Sequence, residues 1–125
     1  MDIIGLGLDA TEIHRVAELI ERYGERFVRR IFTDGEIAYC RGKPDSAPSF
    51  AARFAAKEAA MKALGTGQSQ GVFWTGIEVF RRHGPPQLLF NGGALARFQA
   101  MGATSSLLTL THSRDLAIAH VMLLR

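Results

Sequence analysis

A single cysteine, Cys40, is all the thiol this chain carries. No intramolecular disulfide can form, no C-x-x-C or zinc-type spacing occurs, and the expected compartment is a reducing cytoplasm. No apolar run approaches the ~18 residues of a membrane-spanning helix. The N-terminal MDIIGLGLDA has neither the basic start nor the cleavage site of a signal peptide, so a soluble protein with no membrane partner is expected. Lysine is scarce, with Lys43, Lys57 and Lys62 set against twelve arginines, and no block of five basic residues occurs. The net charge of +3 therefore leans only weakly toward acidic or phosphorylated partners. Internal repeats and low-complexity segments are also lacking. What is there, 47% hydrophobic and 22% charged residues in a chain of 125, is the profile of one compact globular domain spanning residues 1–125. A chain of this length buries roughly two-thirds of its unfolded surface and needs no disulfide or structural metal.

Ile3 to Leu8 reads as a short buried strand, with Ile4, Leu6 and Leu8 on one face and Gly5, Gly7 and Asp9 on the other. Thr11 to Tyr23 has helical apolar spacing and stops at Gly24, and a second amphipathic piece runs from Glu25 to Ile31. Thr33-Asp34-Gly35-Glu36 has capping-box spacing and starts a helix reaching about Cys40. Gly42 to Ser49 is a loop, and Phe50 to Leu64 is a long helix with a serine cap available at Ser46 or Ser49 and Gly65 at its end. Val72 to Arg82 and Gln87 to Phe90 read as a hairpin around Gly84-Pro85-Pro86, followed by a helix from Ala94 to Met101. Two strands, Ser105 to Thr111 and Leu116 to Leu124, close the chain. The tally is an α+β fold, a mostly antiparallel sheet with one long central helix.

That central helix is unusual. At about 100° per residue, Phe50, Phe54, Met61 and Leu64 form the large apolar stripe, and alanines 51, 52, 55, 56, 59, 60 and 63 fill the other side. No conventional solvated face remains. Its charges, Arg53 and Lys57 along one edge of the stripe and Glu58 and Lys62 along the other, fall within the half that should be buried. An i,i+4 ion pair between Glu58 and Lys62 is the plain explanation, and the alanines could reflect helix propensity on an exposed side. The sharper one is a polyanionic ligand bound with a divalent cation, Arg and Lys holding phosphates and Glu the cation. Asp9 likewise has a plain reading as a helix N-cap in Asp9-Ala10-Thr11-Glu12, and His112 as an ordinary turn histidine. Gly5, Gly7 and Ala10 satisfy G-x-G-x-x-A, but the glycines lie inside the strand and no repeated βαβ units follow, which excludes a Rossmann domain.

Taken together, Gly5-Leu6-Gly7-Leu8-Asp9 with Arg15, then Arg53-Phe54-Ala55-Ala56-Lys57-Glu58-Ala59 with Lys62-Ala63-Leu64-Gly65-Thr66-Gly67, then Leu110-Thr111-His112-Ser113, resemble the holo-acyl-carrier-protein synthase family of small 4'-phosphopantetheinyl transferases. The resemblance runs from residue 3 to about residue 123 and implies the α+β fold of that family, assembled as a homotrimer with active sites between protomers. It implies transfer of the 4'-phosphopantetheine arm of coenzyme A to a serine of apo acyl carrier protein, with Mg²⁺, releasing adenosine 3',5'-bisphosphate in support of fatty acid biosynthesis.

The resemblance also implies residue roles. Asp9 and Glu58 match the metal-binding carboxylates, and Lys62 the lysine beside the same phosphates, which makes these three the expected catalytic set. Arg53, Lys57, Lys62 and His112 match positions lining the coenzyme A site, and Glu58 or a water on the metal could take the serine proton. Arg15 matches a carrier-protein contact, and Arg22, Arg26, Arg29 and Arg30 extend it as a surface that steers the acidic partner in. A non-catalytic basic docking module for an acidic protein is the alternative. A nucleic-acid partner is not expected, because the aromatics do not interleave with the basic residues as a stacking platform requires.

Overall fold

The computed structural model describes residues 1–125. In chain order it comprises β1 (Ile3–Glu12), α1 (Ile13–Tyr23), α2 (Glu25–Ile31), α3 (Asp34–Arg41), α4 (Ala47–Leu64), a single 3₁₀ turn (Trp74–Gly76), β2 (Ile77–Phe80), β3 (Gln87–Phe90), α5 (Gly92–Ala100), β4 (Ser105–His112) and β5 (Leu116–Leu124). The expected α+β architecture holds, and every strand pairing is antiparallel: one three-stranded sheet in the order β1-β5-β4, and the β2-β3 hairpin.

The helix α4 lies across the three-stranded sheet. Ala117, Ala119, Val121 and Leu123 of β5 are buried beneath it, and Leu108 and Leu110 of β4 pack against the same core. On β1 the contact is closer still. A Cβ on Gly7 would stand 1.7 Å from the Ala59 carbonyl oxygen, and one on Gly5 2.5 Å from that of Ala63. Backbone meets backbone, which only glycine permits. The glycines that mimic a dinucleotide fingerprint are thus a seat for α4.

This reverses one expectation about β1. Its buried face is the glycine face, while Leu6 and Leu8 are 56% and 61% exposed. The register sets Leu6 beside Met122 and Met122 beside Leu107, and Leu8 beside His120 and His120 beside Thr109. A row of apolar side chains therefore stands on the uncovered side of the sheet. β1 also runs to Glu12, four residues beyond expectation, so α1 begins at Ile13 and Asp9 belongs to a strand. The N-cap reading of Asp9 fails on that account.

Elsewhere the differences are at boundaries. Thr33 and Glu36 form both bonds of the predicted capping box, and Gly65 ends α4 in the left-handed region at φ 75°. α4 starts earlier than expected, at Ala47, because Pro48 fits the first turn of a helix, where no backbone N–H is required; Ser46 caps it without a side-chain bond. The Val72–Arg82 strand shortens to Ile77–Phe80, preceded by the 3₁₀ turn, and α5 begins at Gly92. All seven alanines of the predicted face are buried, so they serve packing on every side of α4 rather than propensity on an exposed one.

Candidate active site

The close seating of β1 on α4 places Asp9 within reach of Lys62. The Lys62 Nζ donates to Asp9 Oδ1 at 3.1 Å and to the Leu8 carbonyl at 3.0 Å, and Thr11 Oγ1 donates to Asp9 Oδ2 at 2.9 Å. The expected Glu58–Lys62 pair does not form; Lys62 turns to β1 instead. Glu58 lines the same cavity of about 260 Å³ as Asp9, with Thr11, Arg15 and Phe54. Burial pushes its carboxyl above the ordinary value, the Asp9 charge adds to the rise, and Lys62 opposes it. Asp9 is thus paired with the Lys62 ammonium, while Glu58 faces the same cavity without an ion pair.

That donor set has the chemistry of a hard-cation site. No cluster of three or more His, Cys, Asp or Glu side chains is present, so the protein does not form a closed cage. Mg²⁺ does not need one, since it typically binds through one or two carboxylates and completes its shell with phosphate oxygens and water. Asp9 and Glu58 fit such an ion.

A second cavity, of about 410 Å³, is basic. Arg53 and His112 line it together, joined by Lys43, Arg81, Tyr39 and Ser49. The Arg53 guanidinium lies 4.0 Å over the Tyr39 ring and donates from one terminal nitrogen to the Ser49 carbonyl at 3.5 Å, while its buried Nε has no partner. Burial alone would raise the Tyr39 hydroxyl, but Lys43, Arg53 and Arg81 together hold it below the ordinary value. Lys43, Tyr39 and Arg81 were missed in the sequence because two of them sit in or beside connecting segments without a motif. The signal that could have found Lys43 is its rarity, one of three lysines in the chain.

Lys57 is not in either cavity. It is fully buried, and its ammonium pairs with Glu36 at 2.7 Å while donating to the carbonyls of Trp74 and Ile77. The expectation that Lys57 faces coenzyme A is corrected on this geometry, because its N–H groups are occupied inside the core.

Along α1 and α2, Leu19 is common to three adjoining depressions. They run from the carboxylate cavity, where Arg15 stands, past Arg22 to Arg26, Phe27 and Arg30. Arg29 does not join them, being held by Glu25 at 3.1 Å and Asp34 at 3.2 Å.

Residues 5–119 match the model of the 4'-phosphopantetheinyl transferase superfamily. The chain belongs to this superfamily. Relatives among the phosphopantetheinyl transferases span it almost completely: a holo-[acyl-carrier-protein] synthase of Solibacter usitatus is 47% identical over 122 residues, 97% of this chain and 98% of that one. The crystal structure of holo-[acyl-carrier-protein] synthase from Neisseria meningitidis superposes with a TM-score of 0.89 at 28% identity, covering 99% of this chain and all of that one. The Helicobacter pylori synthase in complex with coenzyme A superposes with a TM-score of 0.83 at 25% identity, over 94% of this chain and 98% of that one. The α+β fold with its two antiparallel sheets is that of these phosphopantetheinyl transferases.

Proposed function

We propose that residues 1–125 form a single transferase domain that moves the 4'-phosphopantetheine group from coenzyme A to a serine of apo acyl carrier protein, serving fatty acid biosynthesis in the cytoplasm. The observation that carries this reading is the pairing of Asp9 and Glu58 in one cavity with Lys62 beside them, on a chain spanned by holo-[acyl-carrier-protein] synthases. Asp9 and Glu58 would hold Mg²⁺, which supplies charge neutralisation at the pyrophosphate when bound. Lys62, half exposed and bonded to Asp9, would stabilise negative charge developing on the leaving group. Glu58 or a water on the metal would accept the serine proton. Arg53 and His112, with Lys43 and Arg81, hold further phosphate of the substrate.

The carboxylate cavity and the basic cavity have no lining residue in common. A homotrimer in which one protomer's carboxylates meet its neighbour's basic cavity satisfies this separation, and the uncovered sheet face with Leu6, Leu8 and Leu107 is the surface that would be shared. Arg15, Arg22 and Arg26 border the carboxylate cavity and the groove leading from it, where an acidic carrier protein would present its serine.

Calorimetric titration with coenzyme A tests the reading. Binding that requires Mg²⁺ and is lost in Asp9→Asn is expected. Binding indifferent to both, with retained affinity for carrier protein, would mark a docking module instead.

A further inference from the structure

The helix that carries Arg53, Glu58 and Lys62 presents only methyl groups over the side opposite its Phe50, Met61 and Leu64 stripe. Ala51, Ala52, Ala55, Ala56, Ala59, Ala60 and Ala63 are all buried. Burial of these methyls scarcely distinguishes small rotations of α4 about its axis beyond what Phe50, Met61, Leu64 and the glycine seat of β1 set. A polar contact with fixed directions does distinguish them, and the core contains one. Lys57 and Glu36 are both at 0% side-chain exposure and 2.7 Å apart.

This pair is saturated. The Lys57 ammonium has three N–H groups and three acceptors: Glu36, the Trp74 carbonyl at 3.0 Å and the Ile77 carbonyl. The Glu36 carboxylate also accepts from the Thr33 backbone N–H at 2.9 Å and the Val79 backbone N–H at 2.8 Å. One carboxylate thus ties the start of α3, the strand β2 and the middle of α4. A buried ion pair adds little stability over an apolar pair of the same volume, and in some proteins such pairs are kept because they specify one arrangement.

Two routes lead from the pair to the cavity. Lys57 is the residue before Glu58, so its anchorage sets the direction of the Glu58 Cα–Cβ bond. Trp74, whose carbonyl Lys57 holds, stacks on Phe54 with ring centroids 5.1 Å apart, and Phe54 lines the cavity with Asp9 and Glu58.

We propose that Glu36, acting through Lys57, is a positioning residue for transfer: it fixes the rotation of α4 so that Glu58 faces Asp9 across the carboxylate cavity. It touches neither substrate nor metal. This rests on the reading of Asp9 and Glu58 as the transfer site.

The test is steady-state kinetics of the double variant Glu36→Gln/Lys57→Met, which removes both charges, retains an acceptor at residue 36 and keeps the volume. The expected result is a cooperatively folded protein whose kcat falls about 10²-fold, the loss typical of a reacting group displaced by about 1 Å. Its KM for coenzyme A rises as well, because α4 also carries Arg53 and coenzyme A binding depends on the Asp9 and Glu58 site, so the deciding readout is kcat compared at matched stability. Phe98→Leu, in α5, serves as the stability control and retains kcat within twofold.

A folded double variant with kcat within twofold of the parent overturns the proposal. So does a kcat loss that tracks the fall in Tm along a series with Phe98→Leu, which is what a merely structural pair would give. If the double variant fails to fold, Glu36→Gln alone is read in the same way, with the same kcat loss at matched stability expected and an unchanged kcat contradicting. Failure of the underlying reading looks different: Asp9→Asn would then match the parent in every assay.

Discussion

Glu58 carries its charge against two forces, its own burial and the neighbouring Asp9, with Lys62 only partly offsetting them. Its carboxyl is raised above the ordinary 4.5, so the folded state binds its proton more tightly than the unfolded chain does. The contribution of Glu58 to stability is therefore most favourable below pH 4.5 and is lost as pH rises through the raised value. Glu58→Gln removes that loss. In metal-free protein it is expected to raise Tm at pH 7 to 8 and leave it almost unchanged near pH 4, read by thermal unfolding across that range. The same variant is expected to lose about 10² to 10³ of kcat, the magnitude typical when one group aimed at developing charge is removed. Much of this residue chemistry was legible in the sequence. Asp9 was singled out by the resemblance and Glu58 and Lys62 as charges without a solvated face, and the fold brings Asp9 beside both. Lys57 was singled out on the same ground and proved to be a core residue, because the sequence shows that a lysine lies on a buried face but not which partner meets it there. Its partner Glu36 lies 21 residues away, hidden in a capping box that explained it fully at the local level.

The pairing of β1 with α4 is what places these groups, and its tolerance is narrow. Gly7→Ala would set a methyl carbon 1.7 Å from the Ala59 carbonyl oxygen, so strand and helix must separate. A destabilisation of about 3 kcal/mol or more is expected, the upper end of what overpacking produces, measured by urea denaturation. Separation would also carry Asp9 away from Lys62, so activity should fall beyond what the lost stability explains. The elements themselves were largely legible: α2, β3 and β5 agree with expectation at both ends, and the capping box at Thr33 forms. What local pattern did not reveal was which face of β1 is inside. Alternation places leucines opposite glycines, and burial of leucine is the default inference. Here the tertiary demand for a backbone-to-backbone contact takes the glycine face inward and leaves the leucines out, a choice made by α4 and invisible within β1.

At the scale of the molecule, two surfaces remain to be covered. The outer face of the β1-β5-β4 sheet exposes Leu6, Leu8 and Leu107, with Met122 and His120 half-buried among them. If it is the shared face of a trimer, Leu8→Asp should shift the mass in light scattering from trimer toward monomer and abolish transfer while the chain stays folded. The groove along α1 and α2, where Arg15, Arg22, Arg26 and Arg30 outnumber Glu18 and Glu21, is expected to act at a distance: Arg22→Glu/Arg26→Glu should weaken carrier-protein affinity at low salt and bring it closer to the parent at high salt, as screening predicts. The arginine surface was legible in the order of Arg15, Arg22, Arg26 and Arg30 along the chain, with Arg29 drawn off by Glu25 and Asp34, whereas the sheet face was not, because an exposed leucine leaves no mark in hydropathy. The central claim is the transfer reaction itself. Intact-mass spectrometry of apo acyl carrier protein incubated with this protein, coenzyme A and Mg²⁺ tests it most directly. The account predicts a gain of one phosphopantetheine mass that disappears with chelator and with Asp9→Ala/Glu58→Ala. A folded protein that adds no mass to several unrelated carrier proteins, or one that adds it as well without Asp9 and Glu58, would contradict it.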